Sequence, residues 1–189
     1  MAEAARAAAA AGPAPDPIRE AKAYQDSLLA ALGADDPAEA QAATPARIRL
    51  LIAEAGRDLR TRSEPGEWSV IECIGHVVDA EIVTSARYRW ILAEDEPDLV
   101  GYDQARWVDA LRHRGADPAM LAGLFEALRA ANIALWLGSS AAERARAGRH
   151  RERGLESFEL LFRMLAGHDR VHLGQADRAL AAARLLGNR

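Results

Sequence analysis

The segment "SFELLFRMLAGHDRVHLGQADRALAAARLLG" reads as one unbroken closing helix from Ser157 to about Leu186, and it constrains the fold more than any other part of the chain. Residues three or four apart on a helix share a face. His168 and His172 therefore lie one above the other, on a face that also carries Leu161, Leu165 and Ala179. That face is the apolar, inward one. A helix this long needs partners along its length, and two imidazoles turned toward a core need something to accept their lone pairs.

The remaining chain is punctuated in the same way. Asp16 caps a first helix over residues 17–32, with Pro17 in its first turn and Gly33 as its stop. "DDPAEAQAA" suggests a short helical turn, and Thr44 with Pro45 marks the start of a separate helix in "TPARIRLLIAEAGRDL". Ser69 and Glu72 have the Ser-x-x-Glu spacing of a capping box, opening a long helix that runs to about Glu94, with Pro97 beyond its end. Residues 95–117 then form an irregular crossover with a short helix near Asp103 to Leu111, long enough to cover a site. Asp117, Pro118 and Gly138 delimit a further helix, and "SSAAERARAGRHRERGLE" is a polar connection. No segment reads as a strand. The expected architecture is all-α, a four-helix bundle with a long crossover connection and short extra helices. The Ala/Pro-rich residues 1–16 are expected to be a disordered tail, and 17–189 a single domain.

Composition narrows the function. Half the residues are hydrophobic, enough for one real core. The 24 basic and 28 acidic residues give a net charge of −4, and the basic ones are spread out, with Lys22 the only lysine. Such a surface offers no electrostatic case for nucleic acid or an anionic membrane. No apolar run approaches the ~20 residues of a membrane span. The single cysteine, Cys73, lies in an apolar helical segment and reads as a packing residue, which fits a reducing, cytoplasmic setting.

The histidines carry the chemistry. His113 and His150 sit in polar stretches and are expected at the surface. His76 lies mid-helix in "ECIGHVVDAE", on a face shared with Glu72, Asp79, Ala80, Val83 and Arg87. If its helix neighbours the closing one, His76 faces His168 and His172. Three imidazoles leave a fourth coordination position open for water or substrate, as in catalytic metal sites. Asp79 and Glu72 are candidate proton acceptors or carboxylates orienting a ligand. Arg87 is a candidate for binding an anionic substrate group, set against an arginine snorkelling to the surface. Tyr102 and Trp107 in the crossover are candidate pocket walls. "HDRVH" also echoes the H-E-x-x-H helix of zinc proteases, but no histidine follows His172, so Asp169 is expected to be exposed rather than a general base.

In order along the chain, "GEWSVIECIGHVVDAE", "ILAEDEPDLVGYDQARW" and "RHRERGLESFELLFRMLAGHDRVHLGQADRAL" resemble the DinB/YfiT-like family of metalloenzymes, from about Pro17 to Leu180. The resemblance implies a four-helix bundle, commonly dimeric, and a divalent metal, zinc or nickel, on a histidine triad. The triad maps onto His76, His168 and His172. The resemblance further implies transfer or isomerisation chemistry using a low-molecular-weight thiol. An open metal position that activates either a thiolate or a water makes the expected activity that of a metal-dependent thiol transferase or hydrolase of a small molecule. The competing reading is a non-catalytic bundle whose metal or dimerisation is purely structural.

Overall fold

The computed structural model describes residues 19–187. The expected tail over residues 1–16, and the Asp16–Pro17 helix start, lie outside the described residues. The first helix, α1, is Ala21–Leu32, and Gly33 at φ 65° ends it with its N–H on Leu29 O.

The next helix corrects the sequence reading. Residues expected as a short turn followed by a separate helix form one element, α2, Pro37–Ala55, capped by Asp36 rather than Thr44. Asp36 Oδ1 accepts from the amides of Ala38 and Glu39 at 2.8 and 2.9 Å. Pro45 lies inside the helix and has no N–H to offer the carbonyl of Gln41 four residues earlier. Arg129 Nη1 donates to that carbonyl instead, at 3.1 Å. Thr44 uses its hydroxyl to donate to Asp169 Oδ2 at 2.8 Å. A proline that reads locally as a helix start is thus tolerated mid-helix because a distant side chain replaces the lost donor.

A 3₁₀ turn, Gly56–Arg60, leads to α3, Val70–Ala93. The capping box is present: Ser69 N and Oγ donate to Glu72 Oε2 at 2.9 and 2.6 Å. The crossover holds the short strand β1 (Asp98–Leu99), helix α4 (Gln104–Ala110) capped by Asp103, and a 3₁₀ turn, His113–Gly115. Helix α5, Pro118–Gly138, begins under the Asp117 cap. The short α6 (Ala141–Ala145) precedes strands β2 (Ala147–His150) and β3 (Gly154–Ser157), and α7, Phe158–Gly187, closes the chain.

Helices α2, α3, α5 and α7 form the bundle, each packing along two neighbours, and α1 lies along α7. Side-chain contacts fix the directions. His76 meets His168 while Tyr88 meets Phe158 and Phe162, so α3 and α7 are antiparallel. Glu81 meets Arg129 and Ser85 meets Asn132, so α3 and α5 run parallel. The chain must therefore travel back along the length of α3 before α5 begins. Residues 94–117 do this, which is the physical reason for the long crossover.

Two apolar clusters fill the bundle. One contains Ile48, Leu51, Ile74, Val77, Phe125 and Leu180, the other Tyr88, Ile91, Trp136, Phe158, Phe162 and Leu165. Between them lies a buried polar layer centred on Arg129, 1% exposed. Its guanidinium donates to Glu81 Oε2 at 2.8 and 3.1 Å, to Asp169 Oδ2 at 2.7 Å and to the Gln41 carbonyl. One arginine on α5 therefore ties together α2, α3 and α7.

Among the described residues three strands are present where none was expected. β1 pairs parallel with β2, and β2 antiparallel with β3, at the end of the bundle reached by the close of α3. The strands span two, four and four residues and carry Gly, Arg and Glu, so no alternating apolar pattern announces them. Helix α5 also departs from the sequence reading, being long and apolar enough by length and composition to cross a membrane. Glu126 and Arg129 interrupt its apolar run, which hides this from a count of consecutive residues. Arg129 and Asn132 both bond Glu81, so that face is packed inside the bundle.

Candidate metal centre

The antiparallel pairing of α3 and α7 brings His76, His168 and His172 together, with one potential ligand atom from each lying within 4.8 Å of the others. His76 Nε2 and His168 Nε2 are 3.0 Å apart. The ring centroids are 4.4 to 4.9 Å apart. His76 is fully buried and His168 6% exposed. The Trp68 ring covers the cluster, 5.2 Å from His76 and 6.2 Å from His172.

Burial holds His76 and His172 neutral. It pushes the His76 pKa well below the ordinary value, with the other two imidazoles adding to the effect. Burial and then His168 bring His172 down to about 3. Near neutral pH these rings carry lone pairs rather than charge, the form in which imidazole binds a metal. His172 Nδ1 lies 2.9 Å from Gln175 Oε1. The amide oxygen can only accept, so Nδ1 carries the proton and Nε2 keeps its lone pair.

Three further atoms fit a resident cation. His76 Nδ1 and His168 Nδ1 are buried without a hydrogen-bond partner, and so is Asp169 Oδ1. Asp169 Oδ1 lies 4.0 Å from His168 Nδ1. A ligating Nε2 leaves its proton on Nδ1, and metal-bound histidines commonly direct that N–H to a carboxylate. Three gathered imidazoles with an acceptor waiting behind one of them suit a divalent cation.

The other sequence candidates occupy distinct places. Glu72 is committed to the Ser69 cap and to Arg62, which bonds both of its oxygens; these bonds hold its carboxyl below the usual range against the opposing effect of burial. Asp79, 3% exposed, accepts from His113 Nε2 at 2.7 Å. Arg87 is 6% exposed, which rules out the alternative of an arginine snorkelling to the surface. With Tyr102 it lines a cavity of about 230 Å³ that reaches His168. Trp107 is outside that lining but stands behind Tyr102, with ring centroids 4.5 Å apart.

Three expectations of exposure are corrected. His113 is 6% exposed, packed over Gly75, where a Cβ would come within 2.4 Å of its ring. His150 is 3% exposed and lines the cavity from β2, and burial brings its pKa down to about 4. Asp169 is 2% exposed and paired with Arg129. Its neighbours explain the miss: α7 packs against α1, α2 and α3 at once, so its middle is buried nearly all round. A single apolar stripe underestimates such a helix.

Three gathered imidazoles, two of them buried and one half-buried, stand in a four-helix bundle whose α3 and α5 run parallel. The DinB superfamily model matches residues 38–176, and the chain belongs to that superfamily. The fold is similar to a solved structure described as "YfiT from Bacillus subtilis is a probable metal-dependent hydrolase with an unusual four-helix bundle topology". The TM-score is 0.69 with 19% identity, over 94% of each chain. No curated protein matches the chain.

Proposed function

We propose that His76, His168 and His172 hold a divalent cation, zinc or nickel, and that the chain is a metal-dependent hydrolase of a small molecule. The observation that carries this reading is the cluster itself: three inward imidazoles with no protein acceptor among them for two of their ring nitrogens. A cation there supplies Lewis acidity and brings the pKa of water toward neutrality.

The chain's own groups do the rest. Gln175 and Asp169 orient His172 and His168 from behind. Asp79, one turn along α3 from His76, is the proton acceptor in this reading, and His113 holds its carboxylate in place. Glu72 anchors the start of α3 through its cap, which fixes the phase of His76. Tyr102, backed by Trp107, walls the cavity beside His168. The buried thiol of Cys73, pushed up to about 12 by burial, is inert, so thiol chemistry at this centre requires a thiol from solution.

The test is a panel of small esters, amides and lactones offered to protein loaded with zinc or nickel, with and without an added low-molecular-weight thiol. Hydrolysis that disappears on chelation and in His76→Ala supports the reading. Turnover only with added thiol replaces hydrolysis by thiol transfer, and no turnover with a full metal site leaves the structural role. We also place the chain in the cytoplasm as a homodimer joined along α5, supported by the exposure of Met120, Leu124 and Leu137. Sedimentation of the parent and of Leu124→Glu tests the dimer.

A further inference from the structure

Arg87 is a buried cation with no anion. The residue is 6% exposed, yet among the described residues no carboxylate comes within ion-pair distance of its guanidinium. Its Nη2 donates to the Val100 carbonyl at 2.5 Å and lies 3.4 Å from His150 Nε2, while Nε has no hydrogen-bond partner among the described residues. Arg129, equally buried, has two carboxylates. Burying a charge without a partner is costly, and proteins rarely leave one so unless something completes it.

The groups around Arg87 do not supply the missing charge. Arg153 adds a second cation to the cavity and is engaged by Glu156. His150 is held neutral, as described above. Of the acids on the lining, Glu152 is turned to His150 Nδ1 at 3.0 Å and Asp103 caps α4. The opposite walls are apolar: Leu28, Ala80, Leu161, Met164 and Leu165. Arg87 lies eleven residues beyond His76 on α3, about 16 Å along the axis at 1.5 Å per residue. The cavity thus has a cationic end, an apolar middle and His168 at its other end.

We propose that this cavity takes an elongated, largely apolar carboxylate, its acid group on Arg87 and its far end at the histidine cluster. The inference rests on the reading of that cluster as the reactive centre, and it names the substrate class. A carboxylate presents two acceptors to the guanidinium edge that holds the free Nε, the fork geometry arginine favours. The Tyr102 hydroxyl is the second donor at that end. An acid so bound presents its distal bond, not its carboxylate, to the cation.

Straight-chain carboxylates from butanoate to decanoate, with the matching primary amides, test this by calorimetry on the metal-loaded parent, Arg87→Met and His168→Ala. The expected result is saturable binding of the longer acids to the parent, with Arg87→Met weaker by about tenfold or more. The amides should bind the parent and Arg87→Met alike, and more weakly than the acids. His168→Ala should lose metal but keep acid binding, so loss of the metal reading is seen separately from loss of this one. Equal affinity of acid and amide for the parent overturns the proposal without reference to any variant. So does the absence of acid binding across the series, or acid binding unchanged in Arg87→Met.

Discussion

Replacing Arg129 by methionine tests the buried polar layer that sets the height of the histidine cluster. The substitution keeps an unbranched chain of similar bulk but removes the guanidinium and its bonds to Glu81, Asp169 and the Gln41 carbonyl. Glu81 and Asp169, 0% and 2% exposed, are left as two buried carboxylates without a cation. Breaking a buried ion pair from one side costs about 3–5 kcal/mol. The Gln41 carbonyl, already denied a donor by Pro45, adds about 1–3 kcal/mol. A loss near 5 kcal/mol corresponds to about 10–20 °C in Tm for a chain of this size. Thermal and urea unfolding followed by circular dichroism measure it. Adding Glu81→Gln and Asp169→Asn removes the stranded charges and should restore part of the loss. A drop below about 2 °C in Arg129→Met would refute the view that this arginine holds the layer together.

Three further outcomes follow from the same geometry. The metal-free protein should lose stability as pH falls from about 6.5 toward 5. His76 and His172 have folded pKa values below the unfolded one, so the unfolded chain takes up protons first. The slope is about 1.4 kcal/mol per pH unit for each imidazole, and a flat profile between pH 6.5 and 5 contradicts their buried, neutral state. Gly167→Ala places a Cβ 1.9 Å from the Leu28 carbonyl, a backbone atom that cannot yield. It should destabilise by about 2–4 kcal/mol and loosen α1, seen as faster amide exchange over residues 21–32. Gln175→Leu removes the partner of His172 Nδ1 and should weaken metal binding about tenfold or more in a competition titration, with little change in Tm of the metal-free chain.

Much of this arrangement is written in local sequence. The capping box at Ser69 and the Asp117–Pro118 start are short-range signals, and both fall where the helices begin. The four-residue spacing of His168 and His172, with His76 mid-helix elsewhere, suffices to single out the three residues the fold gathers. What the sequence hid depends on partners far along the chain. Pro45 reads as a helix start because its missing N–H is harmless there; only Arg129, 84 residues away, makes it acceptable mid-helix. Asp169 and His113 look like surface groups because their neighbours are charged, yet Asp169 finds Arg129 across the bundle and His113, in the crossover, finds Asp79 on α3. The strands carry no apolar pattern because they are only two to four residues long and are defined by pairing with each other.

The most direct test of the central claim is metal content by mass spectrometry, on protein purified without a metal-affinity tag and then titrated with zinc or nickel. The account predicts close to one ion per chain in the parent and in Cys73→Ser, and none retained by His76→Ala, His168→Ala or His172→Ala. A parent that binds no divalent cation, or a His168→Ala variant that binds it as tightly as the parent, would contradict the three-histidine centre.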